Sequence, residues 1–140
     1  MTIRVFISHS STDAWIAQQI ARCIHECGAT TFLDNADIHH GDDFEEKILA
    51  GGDASSELLV LLTPWARRRP YIWLEVGMFW HRRMRIVGVL LGLDKRALAR
   101  DESIPIALKR LDLIALNEID AYFEQLTQRV AQAGAGHGHP

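Results

Sequence analysis

Leu58-Leu59-Val60-Leu61-Leu62 is apolar at every position. Successive side chains of a strand point to opposite faces, so this run is apolar on both. That pattern marks a central strand of a parallel sheet, covered by helices on each side. Turn signals bound it, with Gly51-Gly52 upstream and Thr63-Pro64 directly after. Outward from this strand the chain alternates strand and helix patterns. Arg4-Val5-Phe6-Ile7 reads as the first strand, and Ser8-His9-Ser10-Ser11-Thr12-Asp13 as the polar loop after it. Ser11 or Thr12 is placed to cap the following helix. That helix carries Ile16, Ile20, Ile24 and Cys27 at turn spacing and stops at Gly28. Thr30-Thr31-Phe32-Leu33 is a second strand, ending at Asp34. A loop over residues 35–42 leads to a short helix bearing Phe44, Ile48 and Leu49. Downstream of the central strand, residues 71–83 read as a helix and Ile86-Val87-Gly88-Val89-Leu90-Leu91 as the fourth strand. Residues 94–105 show no readable pattern. Leu113-Ile114-Ala115-Leu116 is a short fifth strand, and the last helix places Ile119, Tyr122, Phe123, Leu126 and Val130 on one face. Residues 1–133 are therefore expected to form one domain, and 134–140 a disordered Gly- and His-rich tail.

Five strands alternating with helices predict an α/β fold, a doubly wound parallel sheet. Right-handed crossovers leave few topologies, and the flavodoxin-like order 2-1-3-4-5 is the expected one. At 140 residues the chain can bury one substantial core. Hydrophobic residues make up 48% and charged residues 24%, a globular composition. The net charge of −3 argues against direct nucleic-acid binding, although arginines cluster at Arg67-Arg68-Arg69 and Arg82-Arg83-Arg85. No apolar run approaches the ~20 residues of a membrane span, and Met1-Thr2-Ile3-Arg4 does not read as a signal peptide. Cys23 and Cys27 stand one helical turn apart, which suits a disulfide poorly. They are expected to be buried thiols in a cytoplasmic protein.

Ligands of such sheets sit beyond the strand carboxyl ends, at the switch point between strands 1 and 3. That rule selects Ser8-His9-Ser10 and Thr63-Pro64, with the loops after strands 2 and 4 at the rim. A phospho-receiver would need acidic residues directly after strand 1 and an Asp at the end of strand 3, and this chain has Ser8-His9-Ser10 and Thr63 at those positions. A flavodoxin phosphate loop would need a glycine beside the hydroxyls, and that is missing too. No phosphate-binding P-loop or dinucleotide Gly motif occurs. His9, His39 and His40 fall on loops at this edge, but no recognised ligand spacing joins them, so no metal site is expected.

Val5-Phe6-Ile7-Ser8-His9-Ser10-Ser11-Thr12-Asp13 resembles the first box of TIR (Toll/interleukin-1 receptor) domains. Asp34, Ile38, Gly41, Phe44 and Ile48 match the stretch around that family's BB loop. Leu59-Val60-Leu61-Leu62-Thr63-Pro64 matches its central strand. Tyr71-Ile72-Trp73-Leu74-Glu75-Val76-Gly77 is similar to the helix carrying the catalytic glutamate of the NAD-cleaving members. The resemblance covers residues 3–132 and is of bacterial type. One departure concerns the positions six and four before the glutamate. Many enzymatic members have Ser and Trp there, and this chain has Arg69 and Tyr71.

The resemblance implies an NAD+ nucleosidase with Glu75 as the catalytic group. Phe6, Ser8, His9, Ser10, Asp34, Gly41, Phe44, Thr63 and Tyr71 are the implied substrate-binding residues. No Lys or Arg lies three or four positions from Glu75, so no helix ion pair explains it, and it is expected to be partly exposed. One carboxylate suffices for this chemistry, because nicotinamide leaves NAD+ as a neutral molecule and needs no general acid. The carboxylate stabilises the oxocarbenium-like ribosyl cation and orients the ribose hydroxyls. Attack by water yields ADP-ribose, and attack from within the same molecule yields a cyclic isomer. NAD+ is a substrate here, and no cofactor is implied. The resemblance also implies activation by self-association, often through the BB loop, a sensor domain or separate partner as the trigger, and a role in bacterial antiphage immunity. The alternative is a non-enzymatic TIR adaptor or host-mimicking interaction module.

Overall fold

The computed structural model describes residues 2–33, 55–102, 104 and 111–137, with side chains through 134. Among them five parallel strands form one sheet in the order β2-β1-β3-β4-β5. The strands are β1 (Arg4–Ser8), β2 (Thr30–Leu33), β3 (Glu57–Leu62), β4 (Arg85–Leu90) and β5 (Asp112–Ala115). The helices are α1 (Ala14–Glu26), α2 (Pro70–His81), α3 (Lys95–Arg100) and α4 (Ile119–His137). This is the doubly wound order expected from the strand–helix alternation. β3 is buried along its whole length, between β1 and β4. Its side chains divide by parity, as a central strand must. Leu58, Val60 and Leu62 join Ile72, Val76 and Phe79 of α2 and Leu98 of α3 on one face. Leu59 and Leu61 join Ala17, Ile20 and Ile24 of α1 and Leu126 of α4 on the other.

Local signals account for most helix ends. Gly28 stops α1 with φ +94°, a conformation that favours glycine. Pro70 opens α2, where its missing N–H costs nothing. The expected Ser11 or Thr12 cap is not formed. Ser11–Asp13 instead make a short 3-10 turn that runs straight into α1, and the Ser10 and Thr12 hydroxyls bond each other at 2.7 Å. Helix α3 lies inside the segment that showed no pattern. Asp94 caps it, accepting from the Ala97 N–H at 2.6 Å, and only Leu98 is buried. One buried position in six residues is too few for a periodicity. Helix α4 runs to His137, so its last residues extend into the segment assigned to a disordered tail. Once a helix is nucleated, each further residue adds a backbone bond, and this carries the helix through Gly134-Ala135-Gly136 despite the low helix propensity of glycine. Cys23 and Cys27 are free thiols, half-buried rather than buried. Burial, then the neighbouring Glu26 carboxylate, push the Cys23 thiol above its ordinary pKa. The loop over residues 35–42 and the helix bearing Phe44, Ile48 and Leu49 lie outside the described residues. No helix among the described residues is long and apolar enough to cross a membrane.

A charged cluster sits at the amino end of β3. Glu57 is buried there, and the Tyr122 hydroxyl of α4 donates to it at 2.8 Å. Arg129 of α4 donates to both of its carboxylate oxygens. Burial, then the Glu57 charge, push the Tyr122 phenol well above its ordinary pKa. In the unfolded chain a tyrosine loses its proton at about pH 10. Folded Tyr122 keeps its proton past that point, so its contribution to stability is complete below about pH 10 and falls as pH rises further. Urea titrations between pH 9 and 11 should show this decline, and Tyr122→Phe should flatten it. An equal slope in the variant would remove Tyr122 as the cause.

Candidate active site

Ser8 closes β1 and Thr63 follows β3, so both stand at the carboxyl edge of neighbouring strands. α2 brings Glu75 to the same edge. Its apolar side, Ile72, Val76 and Phe79, faces the sheet and fixes the rotation of the helix. Glu75 then meets β1, where the Ser8 hydroxyl donates to its Oε1 at 3.0 Å. One turn earlier, the Tyr71 hydroxyl donates to the His9 carbonyl at 3.0 Å. Two contacts more than 60 residues apart in sequence therefore tie α2 to the end of β1. The Ser8 hydroxyl is neutral, so its bond orients the Glu75 carboxylate without compensating its charge.

A second set of bonds shapes the neighbouring loop. The Thr63 hydroxyl donates to Asp13 Oδ2 at 2.7 Å and accepts from the Ala66 N–H at 3.0 Å. Asp13 is buried, and so the first and third loops are stapled across the switch point. Thr63→Val keeps the shape but leaves Asp13 and the Ala66 N–H without this partner. A loss of about 1–3 kcal/mol is expected on denaturant unfolding. An unchanged midpoint would mean that water replaces the hydroxyl at no cost.

The switch-point rule thus brings together Ser8, His9, Ser10, Thr63, Tyr71 and Glu75. Three placements differ from expectation. Glu75 is not partly exposed but fully buried, at 0%. A hydrogen-bond donor reaches it from β1, which the spacing along its own helix does not reveal. Phe6 lies in the core beneath the site, its ring 5.1 Å from that of Phe32 and 5.5 Å from that of Phe79. It supports the floor and is not at the surface. Tyr71 is half-buried and spends its hydroxyl on the backbone of His9. Ser8, His9, Ser10 and Thr63 are buried as well, so the described part of the site is closed. Asp34, Gly41 and Phe44, with His39 and His40, lie outside the described residues. Sequence reasoning missed Asp13, whose only signal was its place at the end of the polar run after the first strand. Among the described residues, no group of three or more His, Cys, Asp or Glu side chains could hold a metal ion.

Comparison with known proteins bears on the fold and family. The family model for the TIR domain matches residues 5–130. No curated protein sequence matches the chain. Among solved structures, the TIR domain of the Toll-related receptor TRR-2 from Hydra magnipapillata superposes with a TM-score of 0.64. Identity is 17%, over 89% of this chain and 94% of that one. The TIR domains of the activated Roq1 resistosome, which directly recognises the pathogen effector XopQ, give 0.63 at 13% identity, over 94% and 99%. A metazoan TIR-STING receptor from C. gigas gives 0.62 at 17%, over 90% of this chain but only 39% of that one. At these identities the structural likeness establishes the fold. The family-model match spans most of the chain, including both strands and the helix that form the site, and the chain belongs to the TIR-domain family.

Proposed function

We propose that this TIR domain is an NAD+ nucleosidase of the bacterial, NAD-cleaving type, with Glu75 as its catalytic carboxylate. The observation that carries the reading is the complete burial of Glu75 at the switch point, oriented by the Ser8 hydroxyl. Glutamate is among the residues least often fully buried, because desolvating its charge is costly. An apolar residue at this position of α2 would stabilise the fold more simply. A preorganised carboxylate is what a developing ribosyl cation requires, and its effect is greatest where water is excluded. The nicotinamide–ribose bond breaks as neutral nicotinamide departs. Water then attacks the ribosyl carbon to give ADP-ribose, or an internal nucleophile closes a cyclic isomer.

Glu75 is fully buried, so turnover requires a conformation in which NAD+ reaches it. Self-association is the proposed trigger. The likeness to TIR domains within an activated resistosome supports this, and the proposed antiphage role rests on the bacterial-type sequence resemblance alone. The test is to incubate concentrated protein with NAD+ and weigh the products. Nicotinamide with ADP-ribose or a cyclic isomer is the expected result, and intact NAD+ at every protein concentration would end the proposal. The 35–42 loop is the proposed assembly contact, with Ile38 as its apolar anchor. Ile38→Asp should weaken self-association and activity together, as read by light scattering beside turnover. Full activity with unchanged concentration dependence would count against that contact.

A second reading is a non-enzymatic TIR adaptor. It is favoured by exposed apolar side chains on the helices, Trp15 of α1 and Leu74 and Trp80 of α2, which offer binding surface without chemistry. An assembled protein that leaves NAD+ untouched would establish this reading instead.

A further inference from the structure

We propose that the loop between β3 and α2, together with α3, forms a second site, for a nucleoside di- or triphosphate, separate from Glu75. Two open surface cavities lie on this loop, of about 480 and 590 Å³, and Arg68 lines both. Each falls within the roughly 300–1,000 Å³ range of small-molecule sites. The smaller is lined by Pro64, Trp65, Arg68 and Arg69. The larger is lined by Arg67, Arg68 and Arg100, with Asp101 and Glu102.

The chemistry of the walls selects the ligand. Trp65 is 56% exposed, an unusual position for so large an apolar ring. It offers a flat face beside guanidinium groups, which is how proteins stack a base of any identity. The arginines supply planar donor forks suited to phosphate oxygens. Arg67 is engaged by Asp101 at 3.3 Å, and Arg68, Arg69 and Arg100 are the remaining cations of the two linings for an incoming anion. Glu102 opposes them from an exposed position and lowers the affinity for a lone phosphate. A ligand that joins a base to two or more phosphates uses both cavities at once. An extended nucleic acid is disfavoured by the net charge of −3.

The loop is rigid enough to be a preformed site. The Arg67 carbonyl accepts from Trp73 Nε1 at 2.8 Å. The Arg68 N–H donates to the Trp65 carbonyl at 3.2 Å, and the Arg69 N–H to the Ala66 carbonyl at 3.0 Å. Thr63 ties the first turn to Asp13. The same segment leads directly into α2, so occupancy of the cavities bears on the helix that carries Glu75. The site stands whether or not the nucleosidase reading holds.

Titration calorimetry with ADP, pyrophosphate and adenosine tests it on the whole chain. ADP should bind more tightly than either fragment, and more weakly as salt is raised. Arg68→Ala with Arg100→Ala should weaken ADP binding roughly tenfold or more. Trp65→Ala should weaken it roughly fivefold or more and remove the advantage of ADP over pyrophosphate. All three side chains are exposed, so the variants should melt like the parent, which the same samples can show. Absence of ADP binding, or affinity indifferent to the arginine pair, overturns the proposal. So does pyrophosphate binding as tightly as ADP. Competition between ADP and NAD+ in the parent, with equal loss of both in the arginine variant, would merge this site with that at Glu75 and overturn the proposal.

Discussion

Glu75→Gln is expected to lower NAD+ turnover on the order of 100- to 1000-fold while the fold persists. The amide has nearly the shape of the carboxylate, and its oxygen can still accept from Ser8 at the 3.0 Å contact. What is lost is the charge that stabilises the ribosyl cation. Binding of NAD+ should weaken far less than turnover, because the charge acts mainly on the transition state. The burial of Glu75 sharpens the stability expectation. Because the amide keeps the shape and the Ser8 bond in that tight setting, the variant should unfold close to the parent. Activity and melting temperature should therefore part company. The measurement requires assembled protein, reached by high concentration or crowding. Equal turnover by parent and variant would remove Glu75 from the mechanism. A large drop in melting temperature would assign it a structural role instead.

Arg129→Met should have the largest effect on stability, about 3 kcal/mol or more. Removing it leaves the Glu57 carboxylate buried, with the neutral Tyr122 hydroxyl in place of a cation. Breaking a buried pair by removing one member costs roughly 3–5 kcal/mol. The lower end applies because the Arg129 side chain is 20% exposed. Against a total of about 5–15 kcal/mol for an ordinary domain, this is a large fraction. Adding Glu57→Gln to Arg129→Met should recover part of the loss, since a neutral amide needs no counter-ion and can still accept from Tyr122. NAD+ turnover per folded molecule should be unchanged in both. Glu57 opens β3 and Thr63 follows it, so the ion pair and the proposed site lie roughly 20 Å apart along the strand. A single variant as stable as its parent would show that water reaches Glu57 and solvates it.

The sequence by itself determined the layered α/β fold, the central place of Leu58–Leu62 and the strand order. It also placed Ser8 and Thr63 at one edge of the sheet. These rest on side-chain period and on chain chirality, which act over a few residues or one crossover. Only the tertiary structure decided the environment of the charged groups. Nothing near Glu75 in the chain foretold its burial, because its partner Ser8 lies 67 residues away on another strand. Glu57 reads as a polar residue before a strand, and its cation lies 72 residues away on the last helix. Asp13 became part of the site through Thr63, 50 residues on. The short helix α3 was hidden for a different reason, since a single buried leucine and an Asp cap make no period. A strand announces its faces through its own alternation. A carboxylate acquires solvation, orientation and counter-charge from whatever the fold packs against it.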